Sequence, residues 1–116
     1  MYKIPFNPEK AADQALQVLV PEVSVLSLRL LWNGREESWH LDVEVGEKAI
    51  HGVRLVQGSP LLYNLGASSP LPGDFIVLPA TRDPGPLSYE SLGSSYELFY
   101  MMPDDVAEWE AAHGMG

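Results

Sequence analysis

Between Leu26 and Val45 the chain alternates apolar and polar residues with a period of two, and the alternation is interrupted once, around Asn33-Gly34. In Leu26-Ser27-Leu28-Arg29-Leu30-Leu31-Trp32 the even positions are all apolar. In Ser38-Trp39-His40-Leu41-Asp42-Val43-Glu44-Val45 the odd positions are. A helix cannot put such residues on one face, whereas a half-buried antiparallel strand requires that spacing. Asn-Gly tolerates the positive φ of a tight turn, so the two runs read as a hairpin. A two-residue loop pairs Leu28 with Trp39 and Leu26 with Leu41, and a four-residue loop pairs Leu30 with Trp39. Either even length keeps the apolar faces together, while an odd one requires a bulge.

The next turn falls at Gly46-Glu47-Lys48. In the strand after it the apolar parity changes between Ile50 and Val53, a shift that a bulge at Gly52 absorbs. The spacing therefore predicts a meander over 24–32, 37–45 and 49–57. Further strands are expected from Tyr2 to Phe6, from Ala15 to Val20, from Phe75 to Leu78 and from Tyr96 to Met101. The last is apolar on both faces except at Glu97, as in a strand central to a sandwich or one half exposed to a partner. After Met102, Pro103 to Ala112 reads as a short helix with acidic residues in its first turn, where the helix dipole favours them, and with Gly114 as its stop. The expectation is an all-β domain over 1–102, an antiparallel barrel or sandwich of about six to seven strands, with a short acidic helical tail over 103–116. A small, partly open barrel is the favoured closure.

A chain of 116 residues is one domain by size and buries a core without staples. It contains no cysteine, which excludes disulfides, thiolate catalysis and cysteine-bound zinc. No apolar run approaches membrane-spanning length, and the N-terminus lacks the pattern of a secretory signal, so a cytoplasmic start is expected. Seven Lys and Arg against sixteen Asp and Glu give a net charge of -9. Such a surface is repelled by phosphate backbones and anionic lipid, so neither nucleic acid nor membrane is an expected partner; a basic protein surface suits it, but on charge alone solubility is the preferred reading.

No catalytic or metal constellation emerges from the residue pattern, and no cofactor is expected. His40 lies on the outward strand face, His51 opposes Asp42 across the expected strands, and His113 is in the tail. None has metal-ligand spacing. Gly58-Ser59-Pro60 and Gly93-Ser94-Ser95 do not match a nucleophile elbow and read as turns. Acidic pairs such as Asp74 and Glu90 carry no weight without a fold to set their separation. Trp32 and Trp39 fall on the apolar face, whereas Tyr63, Tyr89, Tyr100 and Trp109 are open to exposure. A small sandwich with surface rings can also bind carbohydrate or a protein ligand, which is the alternative reading. Two long connections, 58–74 and 79–95, are docking loops or packed Ω-type loops.

Several segments together resemble the baseplate plug proteins of contractile-tailed bacteriophages of the cyanophage type. They are Ile4-Pro5-Phe6, then Leu28-Arg29-Leu30-Leu31-Trp32-Asn33 with Arg35, and Ser38-Trp39-His40-Leu41-Asp42. They continue with Ile50-His51-Gly52-Val53-Arg54-Leu55-Val56 running into Gly58-Ser59-Pro60-Leu61-Leu62, the Leu71-Pro72-Gly73-Asp74 turn and the Leu92-Gly93 step. The resemblance runs from about Tyr2 to Met101. The family often has an acidic residue before the late Leu-Gly, where Ser91 stands here. The Pro21-Glu22 segment and the tail after Met102 are peculiar to this chain. The resemblance implies a non-enzymatic virion component at the centre of the tail baseplate, present in several copies around the tail axis and docked on hub, tube or spike proteins. Folding in the host cytoplasm precedes assembly. Candidate interface residues are Arg54, Leu61, Leu62, Tyr63, Tyr89, Tyr100 and Trp109. On this reading Leu61→Asp or Leu62→Asp impairs assembly and spares the isolated fold.

Overall fold

A computed structural model describes residues 1–5, 13–20, 24–63 and 71–113. Its elements run β1 (Tyr2–Lys3), β2 (Asp13–Val20), β3 (Ser24–Asn33), β4 (Ser38–Val45), β5 (Lys48–Arg54), β6 (Asp74–Pro79), β7 (Tyr96–Met101) and α1 (Pro103–Ala112). Two antiparallel sheets form, one in the order β1-β7-β6 and the other β2-β3-β4-β5. They do not close into a barrel, so the arrangement is a sandwich and the expectation of a partly open barrel is corrected. The chain changes sheets after β5. Leu55 still donates its N–H to Trp39, but by Gln57 the chain bridges to Val77 of β6, and Gly58 N donates to the Val77 carbonyl at 2.9 Å. Strands that hand over from one sheet to the other leave open corners where a barrel would continue pairing.

The apolar residues of the hairpin meet as their alternation requires, in a register displaced from both expected ones. Trp32 stands opposite Trp39, Leu30 opposite Leu41 and Leu28 opposite Val43. The reason is local. Asn33 does not occupy a left-handed corner of the turn. Its Oδ1 accepts from Arg35 N at 3.0 Å and Glu36 N at 3.2 Å, and the positive φ falls on Glu37. An asparagine that caps the turn with its side chain moves the loop one residue along the chain. The register stays even, so every apolar side chain keeps its face.

The bulge falls at Gly52. Leu41 pairs with Val53 and Val43 with Ile50, so His51 and Gly52 together oppose Asp42. Gly52 has φ +72° and donates its N–H to Asp42 Oδ1 at 2.7 Å. Asp42 also holds His51 Nδ1 at 3.6 Å, the expected cross-strand contact. A carboxylate opposite the extra residue thus satisfies the donor that the bulge removes from the ladder.

The core lies between the sheets. The larger sheet contributes Leu26, Leu28, Leu30, Trp39, Leu41 and Val43, and the smaller one Phe75, Val77, Tyr96, Leu98 and Tyr100, with Ile4 beside them. β7 is the central strand of its sheet, which accounts for its apolar character on both faces. No residue of α1 is buried, so the helix is an appendage of the sandwich and not one of its layers. Phe6 and Gly114 lie outside the described residues.

Leu30→Ala, at a position with no exposed surface, is expected to lower unfolding stability by about 2–5 kcal/mol. Val56→Ala, at an exposed position, is expected to change it by less than about 0.5 kcal/mol. Urea denaturation of the two variants checks the contrast.

Candidate interaction surface

The chain that crosses between the sheets builds one corner of the sandwich. Leu61 N donates to the Phe75 carbonyl at 2.8 Å, and Leu62 N donates to Asp74 Oδ1 at 2.7 Å. Asp74 Oδ1 also accepts from Phe75 N. Next to it Gly73 N donates to the Tyr100 hydroxyl at 3.1 Å. The backbone passes so close to β7 that a Cβ on Gly73 would lie 2.0 Å from the Met101 carbonyl oxygen and inside the Tyr100 ring contact. The Leu71-Pro72-Gly73-Asp74 turn is therefore a clasp: its glycine permits the approach and its carboxylate holds the crossing loop against β6. Burial pushes the Asp74 carboxyl above its ordinary value, against the lowering effect of the N–H donors of Leu62, Phe75 and Leu61. Burial also raises the Tyr100 phenol.

α1 docks over the same corner. Val106 joins Leu62, Tyr63, Leu71, Pro72, Gly73 and Asp74 around a cleft between helix and turn. Tyr63 packs on Trp109 with ring centroids 5.7 Å apart, and Trp109 stacks on His113 at 4.2 Å. Partial burial, and then the Glu110 carboxylate to which its hydroxyl donates, raise the Tyr63 phenol above its ordinary value. At the N-terminus of the helix Asp105 Oδ2 accepts from Met102 N at 2.9 Å and lies 3.0 Å from the Met1 ammonium. Slight burial opposes ionisation of Asp105, but these two donors outweigh it and hold the carboxyl below its ordinary value. These contacts fix a helix that is too short to be stable alone.

The expected interface residues divide into three groups. Leu61, Tyr63 and Trp109 are each half-buried; Tyr63 and Trp109 meet at this corner, and Leu61 packs against the core. Leu62 and Tyr100 lie beneath it with 2% and 0% of their surface exposed, so both are core residues and cannot touch a neighbour while the domain is folded. The expectation that Leu62→Asp spares the fold is corrected accordingly: an unpaired carboxylate at that depth is expected to unfold the domain. Arg54 stands apart, exposed on the outer face of the larger sheet opposite His40, and makes no ion pair among the described residues.

Tyr89 sits at the far end, on the 80–95 connection. Its ring stacks on Trp39 at 5.4 Å and meets Trp32 edge-on at 5.4 Å, while Trp39 Nε1 donates to the Ser88 carbonyl. The Tyr96 hydroxyl donates to the Gly85 carbonyl. This connection is packed on its own sandwich, and its rings are engaged with each other. Ser91 Oγ accepts from Ser88 N at 2.6 Å and donates back to the Ser88 carbonyl, so a hydroxyl closes the turn. The sequence marked Gly73 and Asp74 only as members of a turn; the approach of Gly73 to β7 and the hold of Asp74 on the crossing loop join segments that no local pattern connects.

A family model described as cyanophage baseplate Pam3 plug gp18 matches residues 1–103. The chain belongs to this plug family. No curated protein matches it. Membership makes the chain a structural component of a phage tail baseplate and implies a non-enzymatic role. The plug-family match ends where α1 begins, so the sandwich, the crossing loop and the clasp lie within it, while Trp109 and His113 lie beyond it.

Gly73→Ala is expected to destabilise the plug domain at least as much as an overpacked core, by about 1–3 kcal/mol, because the intruded atom is backbone. Asp74 gives a pH signature. With its folded pKa above the unfolded one, the folded chain holds the proton more tightly. That contribution is complete below the ordinary value of 3.8 and is lost as pH rises through the folded pKa. The stability of the wild type relative to Asp74→Asn is therefore expected to increase as pH falls from neutral toward 3.8, as read from urea midpoints. A difference that stays constant with pH would contradict the assignment.

Proposed function

We propose that this chain is the central plug of a contractile tail baseplate, where it joins hub, tube and spike proteins in several copies around the tail axis after folding in the host cytoplasm. The family match over residues 1–103 carries the reading. The sandwich supports it mechanically: a core shared by both sheets makes a stiff wedge that transmits load without rearranging. Docking falls to the corner where the crossing loop meets α1, with Leu61, Tyr63 and Trp109 at the contact, and to Arg54 on the outer face. An arginine with its fork free suits a desolvated contact with a carboxylate or backbone carbonyls of a neighbour. The net charge of -9 favours neighbours with basic surfaces.

The titratable groups support the same reading by their employment. Asp42 serves the bulge, Asp74 the clasp and Asp105 the helix start, and His40 lies 3.3 Å from Glu36. Each has a structural task in shaping the domain.

A tagged copy expressed in cells producing tails is expected to recover hub, tube or spike proteins in fixed ratio. Arg54→Glu is expected to change the stability of the free domain by less than about 0.5 kcal/mol and to reduce that recovery. Recovery equal to wild type would remove Arg54 from the interface. Recovery of the tagged protein alone, from a lysate in which tails are present, would overturn the plug proposal.

A further inference from the structure

An Asn-Gly pair suits the left-handed corner of a tight turn, yet neither Asn33 nor Gly34 occupies one, since the positive φ of the hairpin loop falls on Glu37. Space does not call for glycine at 34 either. A Cβ added there would meet only Trp32 Nε1, at 3.9 Å, which is an ordinary contact. Gly52 and Gly73 differ, because a positive φ requires the first and a close backbone approach the second. Turn geometry therefore leaves Gly34 unexplained. What the pair does supply is a reactive side-chain amide. Asn33 Oδ1 accepts from Arg35 N at 3.0 Å and Glu36 N at 3.2 Å, and these bonds curl the side chain toward the following residue, where Gly34 N lies. Gly34 is exposed, and among the described residues nothing accepts from its N–H.

We propose that Asn33 is a site of spontaneous deamidation, activated by the turn that it caps. Gly34 N loses its proton to hydroxide and forms a bond to Asn33 Cγ. The carbonyl electron pair moves onto Oδ1, where the N–H groups of Arg35 and Glu36 already point. Donors fixed at an oxygen that gains negative charge lower the barrier to such an attack, and ring closure within one residue avoids the entropy of a bimolecular encounter. As the carbonyl re-forms, the Cγ–Nδ2 bond breaks and Nδ2 leaves as ammonia with a proton from water. The five-membered imide then adds water at either of its carbonyls and opens to aspartate or isoaspartate. One ammonia is lost, one water is gained, and hydroxide is regenerated.

The sequence directs the reaction to this asparagine. Asn7 precedes Pro8, which has no N–H to attack with, and Asn64 precedes Leu65, whose branched side chain crowds the approach. The two products act differently on the hairpin. Aspartate at 33 keeps an oxygen for both N–H groups and adds one negative charge to a chain of -9. Isoaspartate carries the backbone through the side chain and so inserts an extra atom where Asn33 pairs with Ser38, next to the Trp32–Trp39 pair. That end of the hairpin packs on Tyr89 through Trp32, so the insertion loosens the contact between the hairpin and the 80–95 connection.

The full chain is held folded at neutral pH and physiological temperature, digested at intervals and read by mass spectrometry. Isoaspartate is counted by methyl transfer from labelled S-adenosylmethionine with isoaspartyl methyltransferase. The fragment containing Asn33 is expected to gain about one dalton and to take up label. It is expected to convert at least as fast as a free peptide of residues 30–37 in the same buffer, which is too short to hold the turn. Gly34→Ala, for which the structure has room, is expected to keep the thermal midpoint and to slow conversion by about tenfold or more. A folded chain that converts more slowly than the free peptide overturns the proposal, since the turn then shields Asn33. So does a Gly34→Ala chain that converts at the wild-type rate. Either failure leaves the baseplate role intact, since that is decided by recovery with tail proteins.

Discussion

Burial of a mostly aliphatic sheet face, which also carries Trp39, against a ring-rich one holds this molecule together. The larger sheet offers leucines and Val43 in an alternating field, and the smaller sheet answers with Phe75, Tyr96 and Tyr100. No helix shares the load, since no residue of α1 is fully buried. Rings supply large contact area from few residues, which is how a three-stranded sheet covers a four-stranded one. Each buried phenol also has a polar end to satisfy, and the Tyr96 and Tyr100 hydroxyls do so by bonding loop backbone. The core therefore reaches outward and fixes the loops that make the surface.

The two long connections show how differently that reach acts. The 80–95 connection is tied down by Tyr96, Trp39 and the Ser88–Ser91 exchange, and its aromatic residue is drawn into ring packing. The crossing loop is held by one carboxylate and one glycine at the clasp, which leaves Tyr63 against Trp109 of α1.

Much of the fold was legible because period-two alternation is enforced by burial on one face. The meander and the Gly52 bulge follow from residue pattern alone, whereas the two-sided apolar pattern of β7 fitted both a central strand and one covered by a partner until the sheet order placed it. The hairpin register did not, because Asn33 acts through its side chain and the positive φ falls on Glu37, a residue with no preference for it. Barrel against sandwich depended on where the chain leaves β5 for β6, a long-range choice that no local pattern records. The candidate surface was half legible. Tyr63 and Trp109 meet, but Leu61 packs against the core and Leu62 and Tyr100 are buried, because apolar residues near a loop read alike whether they face solvent or core. Asp74 read as a carboxylate of uncertain use until its donors came from two separate segments.

The central claim is that this sandwich is a fixed part of the tail baseplate and not a free binding module. Quantitative mass spectrometry of gradient-purified, intact tails tests it most directly. The account predicts that the chain is present in constant ratio to hub and tube proteins and persists through washing at high salt. Tails complete in hub and tube but lacking this chain would contradict it.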